Sequence, residues 1–150
     1  MKRPHARRIH ADECERLESQ MCGLLSHLHH KSIPHLYDRS QLEQILDVGQ
    51  TAIFVVIDST QDDRLVSMGV VSFCEGPVYR VAHVGDVVTE PDQRGKGYAR
   101  MVVEAIVAYA RAQRCTSVEL TSADHRQPAI ALYMSIGFEH KDTNVFVYNL

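Results

Sequence analysis

The sequence predicts an α/β fold, a mixed (α+β) sheet with helices on its faces. Two changes of hydrophobic period and one glycine-rich junction carry that expectation. Apolar residues recur at helical spacing over the first third of the chain, give way to β-branched runs at Thr51, and return to helical spacing after Gly97. The junction "VVTEPDQRGKGYARM", residues 87–101, sets a strand-like run, a proline and two glycines directly before the later helical stretch. The expected order is β-α-α-β-β-β-α-β-α-β.

Each element has its own signal. A short strand is expected over residues 5–10. Leu17, Met21, Leu24, Leu25 and Leu28 mark an amphipathic helix over 12–30, with Asp12 near its start. "KSIPHLYDRS" breaks that pattern at Pro34. Leu42, Ile45 and Leu46 then define a second, shorter helix, stopped by Gly49. "TAIFVVID" is a buried strand and "DSTQDD" a polar turn. "RLVSMGVVSFCE" and "VYRVAHVGDVVT" form two antiparallel strands joined at "GP". After the glycines, Ala99, Val102, Val103, Ile106, Val107 and Ala110 make a one-sided helix. "TSVELTS" is the next strand. Pro128 suits an early helical position, Ala129, Leu132, Tyr133 and Ile136 give that helix a face, and Gly137 ends it. "TNVFVYNL" closes the chain as a strand.

The totals exclude several classes. The 150 residues suit one domain, 1–150, large enough to bury a core. The formal charge, 16 − 19 = −3, gives no basic field for nucleic acid. "MKRPHARR" has no apolar h-region behind it, and no apolar run is long enough for a spanning helix, so no membrane is expected. Cys14, Cys22, Cys74 and Cys115 are scattered without a C-x-x-C pair, which suits reduced thiols in a cytoplasmic protein. His27 and His30 stand at i, i+3 in "HLHHK", but no third ligand is evident, so no metal is expected.

The glycine loop fits neither common phosphate template. Lys96 is followed by Gly97, where a Walker A loop needs a hydroxyl for magnesium. Gly95 and Gly97 are followed by Arg100 where a dinucleotide fingerprint needs a third glycine, and the loop comes after several strands. The physics beneath both templates still applies. Residues 94–99 would present unpaired N–H groups at a helix N-terminus, and the glycines would let an anion approach the backbone. On the loop alone, a glycine-eased strand-to-helix turn with a solvated basic rim is the alternative.

Arg94-Gly95-Lys96-Gly97-Tyr98-Ala99 resembles the R/Q-x-x-G-x-G/A acetyl-CoA signature of the GNAT superfamily of N-acetyltransferases. "AIALYMSIGF", residues 129–138, resembles that family's A-x-x-L-Y-x-x-x-G-F, in the expected order and spacing. The resemblance is strong over residues 81–138, and the first 50 residues share only the strand-helix-helix order. It implies a splayed central sheet in which Val87, Val88 and Thr89 pair with the pantetheine arm of acetyl-CoA. Residues Arg94 to Arg100 would hold the pyrophosphate through main-chain amides, with Lys96 adding a point charge less important than the loop's shape.

The implied chemistry is direct acetyl transfer from a thioester to the primary amine of a small molecule. Tyr133 resembles the tyrosine that protonates the departing thiolate, and the Val88 N–H would meet the oxyanion. A tyrosine on an apolar helix face is otherwise a half-buried core residue. Asp86 and Glu119 are rival general bases, each open to being a solvent-facing strand acid, and His83 is a weaker candidate. Many relatives carry Asn seven residues before the tyrosine, where this chain has Arg126, which would meet the cofactor or serve as a helix-start charge. His29, His30, His35 and Tyr37 would wall the acceptor site. Two other readings remain: a protein or peptide N-acetyltransferase, and a non-catalytic acyl-CoA sensor. The apolar last strand is an edge that invites pairing across a homodimer.

Overall fold

The computed structural model describes residues 4–28 and 38–150. The order is β1 (Ala6–Arg8), α1 (Cys14–Leu28), α2 (Arg39–Val48), β2 (Thr51–Asp58), β3 (Arg64–Glu75), β4 (Arg80–Thr89), α3 (Tyr98–Ala112), β5 (Ser117–Leu120) and α4 (Gln127–Ile136). Single 3-10 turns at Ala11–Glu13 and Pro91–Gln93 lead into α1 and into the glycine loop. The strands stand in chain order, β1-β2-β3-β4-β5, antiparallel except for the parallel pair β4–β5.

Strand alternation assigns the two faces. Ile53 and Val55 of β2 pack with Leu17, Met21 and Leu24 of α1 and Leu42 and Leu46 of α2. Ala52, Phe54 and Val56 point the other way and pack with Val102, Ile106 and Ala110 of α3. This is why "TAIFVVID" is apolar throughout: both of its faces are covered. The helix ends follow the expected chemistry. Asp38 accepts from the Gln41 N–H (2.9 Å) while Gln41 accepts from the Asp38 N–H (3.0 Å), which caps α2 at its start. Gly49 and Gly137 take the left-handed conformation that ends α2 and α4.

One glycine is fixed by packing. A Cβ on Gly69 of β3 would lie 2.7 Å from Val102 Cγ1, 3.2 Å from Ile106 Cδ1 and 3.4 Å from Val87 Cγ2. Val102 is fully buried and β-branched, so it has no rotamer into which to retreat. Gly69→Ala should cost about 1–3 kcal/mol through displacement of α3. Thermal unfolding should show a Tm lower by about 2–4 °C for each kcal/mol.

The last expected element is absent. Residues 138–150 have no regular structure, and the chain's regular elements end with α4. "TNVFVYNL" has strand-forming residues, but a strand exists only where an edge pairs with it. Among the described residues β5 pairs only with β4, so its other edge remains unclaimed.

Candidate active site

The site begins with an irregularity in β4. Val70 pairs with Gly85 and Met68 with Val88, so two steps along β3 match three along β4. The extra residue is a β-bulge, and within it Asp86 has φ +50, a left-handed conformation that few non-glycine residues adopt. Such strain is typical of functional positions, where a bulge re-aims a side chain. The same place marks the end of sheet pairing on the other side. β4 pairs with β5 only from Val81 to Val84, whereas β4 continues to Thr89. The two parallel strands therefore part beyond Val84 and leave one side of residues 85–89 open to an extended ligand. This is the splay that the family resemblance implies.

The end of β4 is held in place. Ser67, fully buried, donates its hydroxyl to the Val88 carbonyl (3.0 Å) and shares a hydrogen bond with the Thr89 hydroxyl (2.8 Å). Next comes the glycine loop, with Gly95 at φ +78 and Gly97 at φ +82, and Gly97 caps α3. Nothing lies within 4 Å of where a Cβ would stand on either glycine. Their backbones face open space above a helix N-terminus, where an anion is favoured. Lys96 turns back and donates to Gln93 (2.7 Å), which leaves the approach to the loop's amides clear. Arg64 grips Asp92 with two hydrogen bonds (2.8 and 3.0 Å) and so anchors the turn into the loop. That guanidinium holds the Asp92 carboxyl at a pKa of about 2. Arg100, in the first turn of α3, reaches across to the Ser135 hydroxyl of α4 (2.5 Å).

Between the parted strands and α4 lies a cavity of about 420 Å3. Val84 to Val87 of β4 form one wall, including Asp86. Leu120, Thr121 and Ser122, at and after the end of β5, form another, and Ala129 and Tyr133 of α4 a third. Arg94 from the glycine loop and Arg126 at the start of α4 bring positive charge to it. Burial pushes the Tyr133 hydroxyl above its ordinary pKa, and the nearby Arg126 charge only partly opposes this. Tyr133 also packs edge-on against Phe138, ring centres 5.9 Å apart. Its hydroxyl thus keeps its proton at neutral pH.

The structure brings Asp86, Tyr133, Val87, Arg94 and Arg126 to one cavity. Val88 and Thr89 continue the same open stretch of β4, and Gly95 to Arg100 form the loop and helix start beside it. The Tyr98 side chain is buried in the core against α3 and the sheet, so only its backbone belongs to the loop surface. Glu119 is not among the cavity's lining residues; its carboxylate pairs with Lys141 (3.3 Å). His83, aligned with Glu119 across the parallel pair, is exposed and also outside the lining. His29, His30, His35 and Tyr37 lie outside the described residues.

The cavity also contains two histidines, one considered from the sequence only as half of a metal-ligand pair with His30 and the other not considered. His27, in the last turn of α1, and His125, before α4, both line it. The His27 Nε2 stands 3.4 Å from Glu90, whose carboxylate also meets Arg64 at 3.3 Å. No local pattern links a histidine at a helix end to a glutamate after a distant strand, and only the fold unites them. Arg126 closes the ring by donating to the Leu28 carbonyl (3.5 Å), which ties α4 to the end of α1.

The chain matches the model of the acetyltransferase (GNAT) family over residues 18–138. It belongs to that family, and it is an acetyltransferase. The parted strands and open glycine loop fit acetyl-CoA, the cosubstrate that the family implies. The chain is 27% identical over 113 residues to glucosamine 6-phosphate N-acetyltransferase 1 of Oryza sativa subsp. japonica, which covers 73% of this chain and 67% of the relative. The fold is shared with the glucosamine-6-phosphate N-acetyltransferase of Arabidopsis thaliana (TM-score 0.78, 19% identity, 98% of this chain and 99% of that one). It is shared as well with an aminoglycoside acetyltransferase from an uncultured soil metagenomic sample (TM-score 0.85, 14% identity, 98% and 96%).

Proposed function

We propose that this acetyltransferase moves the acetyl group of acetyl-CoA onto the primary amine of a small molecule, with Asp86 as proton acceptor and Tyr133 as proton donor. The observation that carries the proposal is the placement of both groups on the walls of one cavity, between the parted strands and α4. Its volume, about 420 Å3, suits a metabolite rather than a folded polypeptide segment. The rice relative's name makes an amino sugar phosphate the first acceptor to try.

The chain's own groups divide the work. The open side of residues 85–89 aligns the pantetheine arm, and the loop from Arg94 to Arg100 holds the pyrophosphate. Asp86 takes the proton that the amine must lose before its nitrogen attacks the thioester carbon. The Val88 N–H meets the oxygen on which charge develops, in a peptide segment steadied by Ser67. As the new C–N bond forms and the C–S bond breaks, Tyr133 gives its proton to the sulfur. Glu119 is the rival proton acceptor, on the neighbouring strand but paired with Lys141.

Release of free thiol from acetyl-CoA, measured across a panel of amino sugars, amino sugar phosphates, polyamines and peptides, tests the proposal. Acceptor-dependent release with small amines is expected, and release with peptides alone would overturn the small-molecule reading. Asp86→Asn separates the two carboxylates, because asparagine tolerates the left-handed backbone of this position. It should lower kcat/KM by about 10²-fold near neutral pH, with recovery as alkaline solution deprotonates the amine. A larger loss in Glu119→Gln would transfer the role to Glu119.

A further inference from the structure

Asp58, Ser67 and Gln93 are polar residues buried to 5%, 0% and 5% exposure. Ser67 holds the end of β4. The other two belong to one hydrogen-bonded chain that runs from the end of β2 to the glycine loop. The Asp58 carboxylate accepts from the Thr60 N–H (3.0 Å) and hydroxyl (2.6 Å) at one oxygen, and from the Gln61 side-chain amide (2.6 Å) at the other. The Gln93 amide nitrogen donates to the Gln61 side-chain oxygen (3.4 Å) and to Asp92 (3.0 Å). The Gln93 oxygen accepts from the Lys96 ammonium (2.7 Å). Both donors of the Gln93 amide and its oxygen are therefore engaged.

The direction of this chain is dictated from its Asp58 end. The Thr60 hydroxyl and N–H hold the Asp58 carboxyl below its ordinary pKa, so it is a carboxylate and can only accept. Gln61 must then present its NH2 to Asp58 and its oxygen to Gln93. Gln93 in turn directs its NH2 to Gln61 and Asp92, which leaves its oxygen for Lys96. A negative charge at one end and a positive charge at the other polarise the two amides between them. Arg64, three residues after Gln61, grips Asp92, so the β2–β3 turn holds the loop at a second point. We propose that Gln93 is a positioning residue for acetyl-CoA: it keeps residues 92–96 in the conformation that receives the pyrophosphate, and Asp58 orients it through Gln61. This rests on the reading that residues 94–100 hold the pyrophosphate. A loop fixed in advance spares the cost of ordering it when the cofactor binds.

Calorimetry on the full chain with two thioesters tests this: acetyl-CoA, and S-acetylpantetheine, which lacks the pyrophosphate and the nucleotide. Gln93→Met keeps the length of the buried side chain and removes its amide. It should weaken acetyl-CoA binding about 10-fold and leave S-acetylpantetheine within about twofold. Gln61→Ala cuts the same chain at an exposed residue, where the core loses nothing, and should weaken acetyl-CoA about threefold. The double variant should bind no more weakly than Gln93→Met alone, because both substitutions act through one chain. Unchanged acetyl-CoA affinity in Gln93→Met overturns the proposal. An equal loss with both thioesters overturns it too, since general loosening of the fold would not single out the pyrophosphate. Additive losses in the double variant, or none in Gln61→Ala, overturn the link to Asp58. A loss in Gly97→Asp with none in Gln93→Met would leave the pyrophosphate loop in place and remove only the part given to Gln93.

Discussion

Gly97→Asp should reduce acetyl-CoA affinity at least about 100-fold in calorimetry, equivalent to about 2.8 kcal/mol. Two effects act together. The backbone at this position has φ +82, which costs a residue with a Cβ roughly 1–2 kcal/mol. Aspartate is among the residues that bear this best, so strain alone accounts for only part of the loss. The larger effect is a carboxylate set at the N-terminus of α3, where the loop amides and helix dipole otherwise attract the pyrophosphate. No protein atom lies within 4 Å of the added Cβ, so the fold has room for the substitution and the loss should be one of binding. Gly97→Ala tests the division, because it adds the Cβ without the charge and should fall between the two. Unchanged affinity in Gly97→Asp would mean that the anion is held elsewhere.

The parts of this site differ in how plainly the sequence shows them. The glycine loop and the α4 face are legible because they are local: backbone conformation and helical periodicity are written in adjacent residues. Gly97 at the cap of α3 and Tyr133 on α4 stand where those patterns put them. Asp86 is a candidate from its place on the strand, but no local pattern marks the bulge that holds it. A bulge is a mismatch of register between two strands, here between Met68–Val70 of β3 and Gly85–Val88 of β4. The His27–Glu90–Arg64 cluster was hidden for a similar reason, since α1, β3 and the turn after β4 meet only in three dimensions. The last strand failed in the opposite way. Val145 to Leu150 have the composition of a strand, but composition states a preference and pairing requires a partner edge.

Tyr133→Phe should lower kcat by about 10²-fold or more near neutral pH, while acetyl-CoA affinity stays within about twofold. Phenylalanine retains the ring, its burial and the edge-on contact with Phe138, so α4 should keep its place and only the hydroxyl is lost. The pH dependence identifies the role. Burial raises the Tyr133 pKa, so the neutral, proton-donating form persists to pH values above the tyrosine's ordinary value near 10. The sign follows directly: a donor must be protonated, and a raised pKa extends its working range upward. In the wild type, loss of activity from this group should therefore begin at higher pH than an ordinary tyrosine would give. Alkaline solution also removes the amine's proton without help, so the contribution of Asp86 fades while that of Tyr133 does not. A rate deficit in Tyr133→Phe that persists at pH 9, where Asp86→Asn recovers, would assign the hydroxyl to the leaving thiolate. Full kcat for Tyr133→Phe at high pH would leave the hydroxyl no part in proton transfer and reduce Tyr133 to a wall of the cavity.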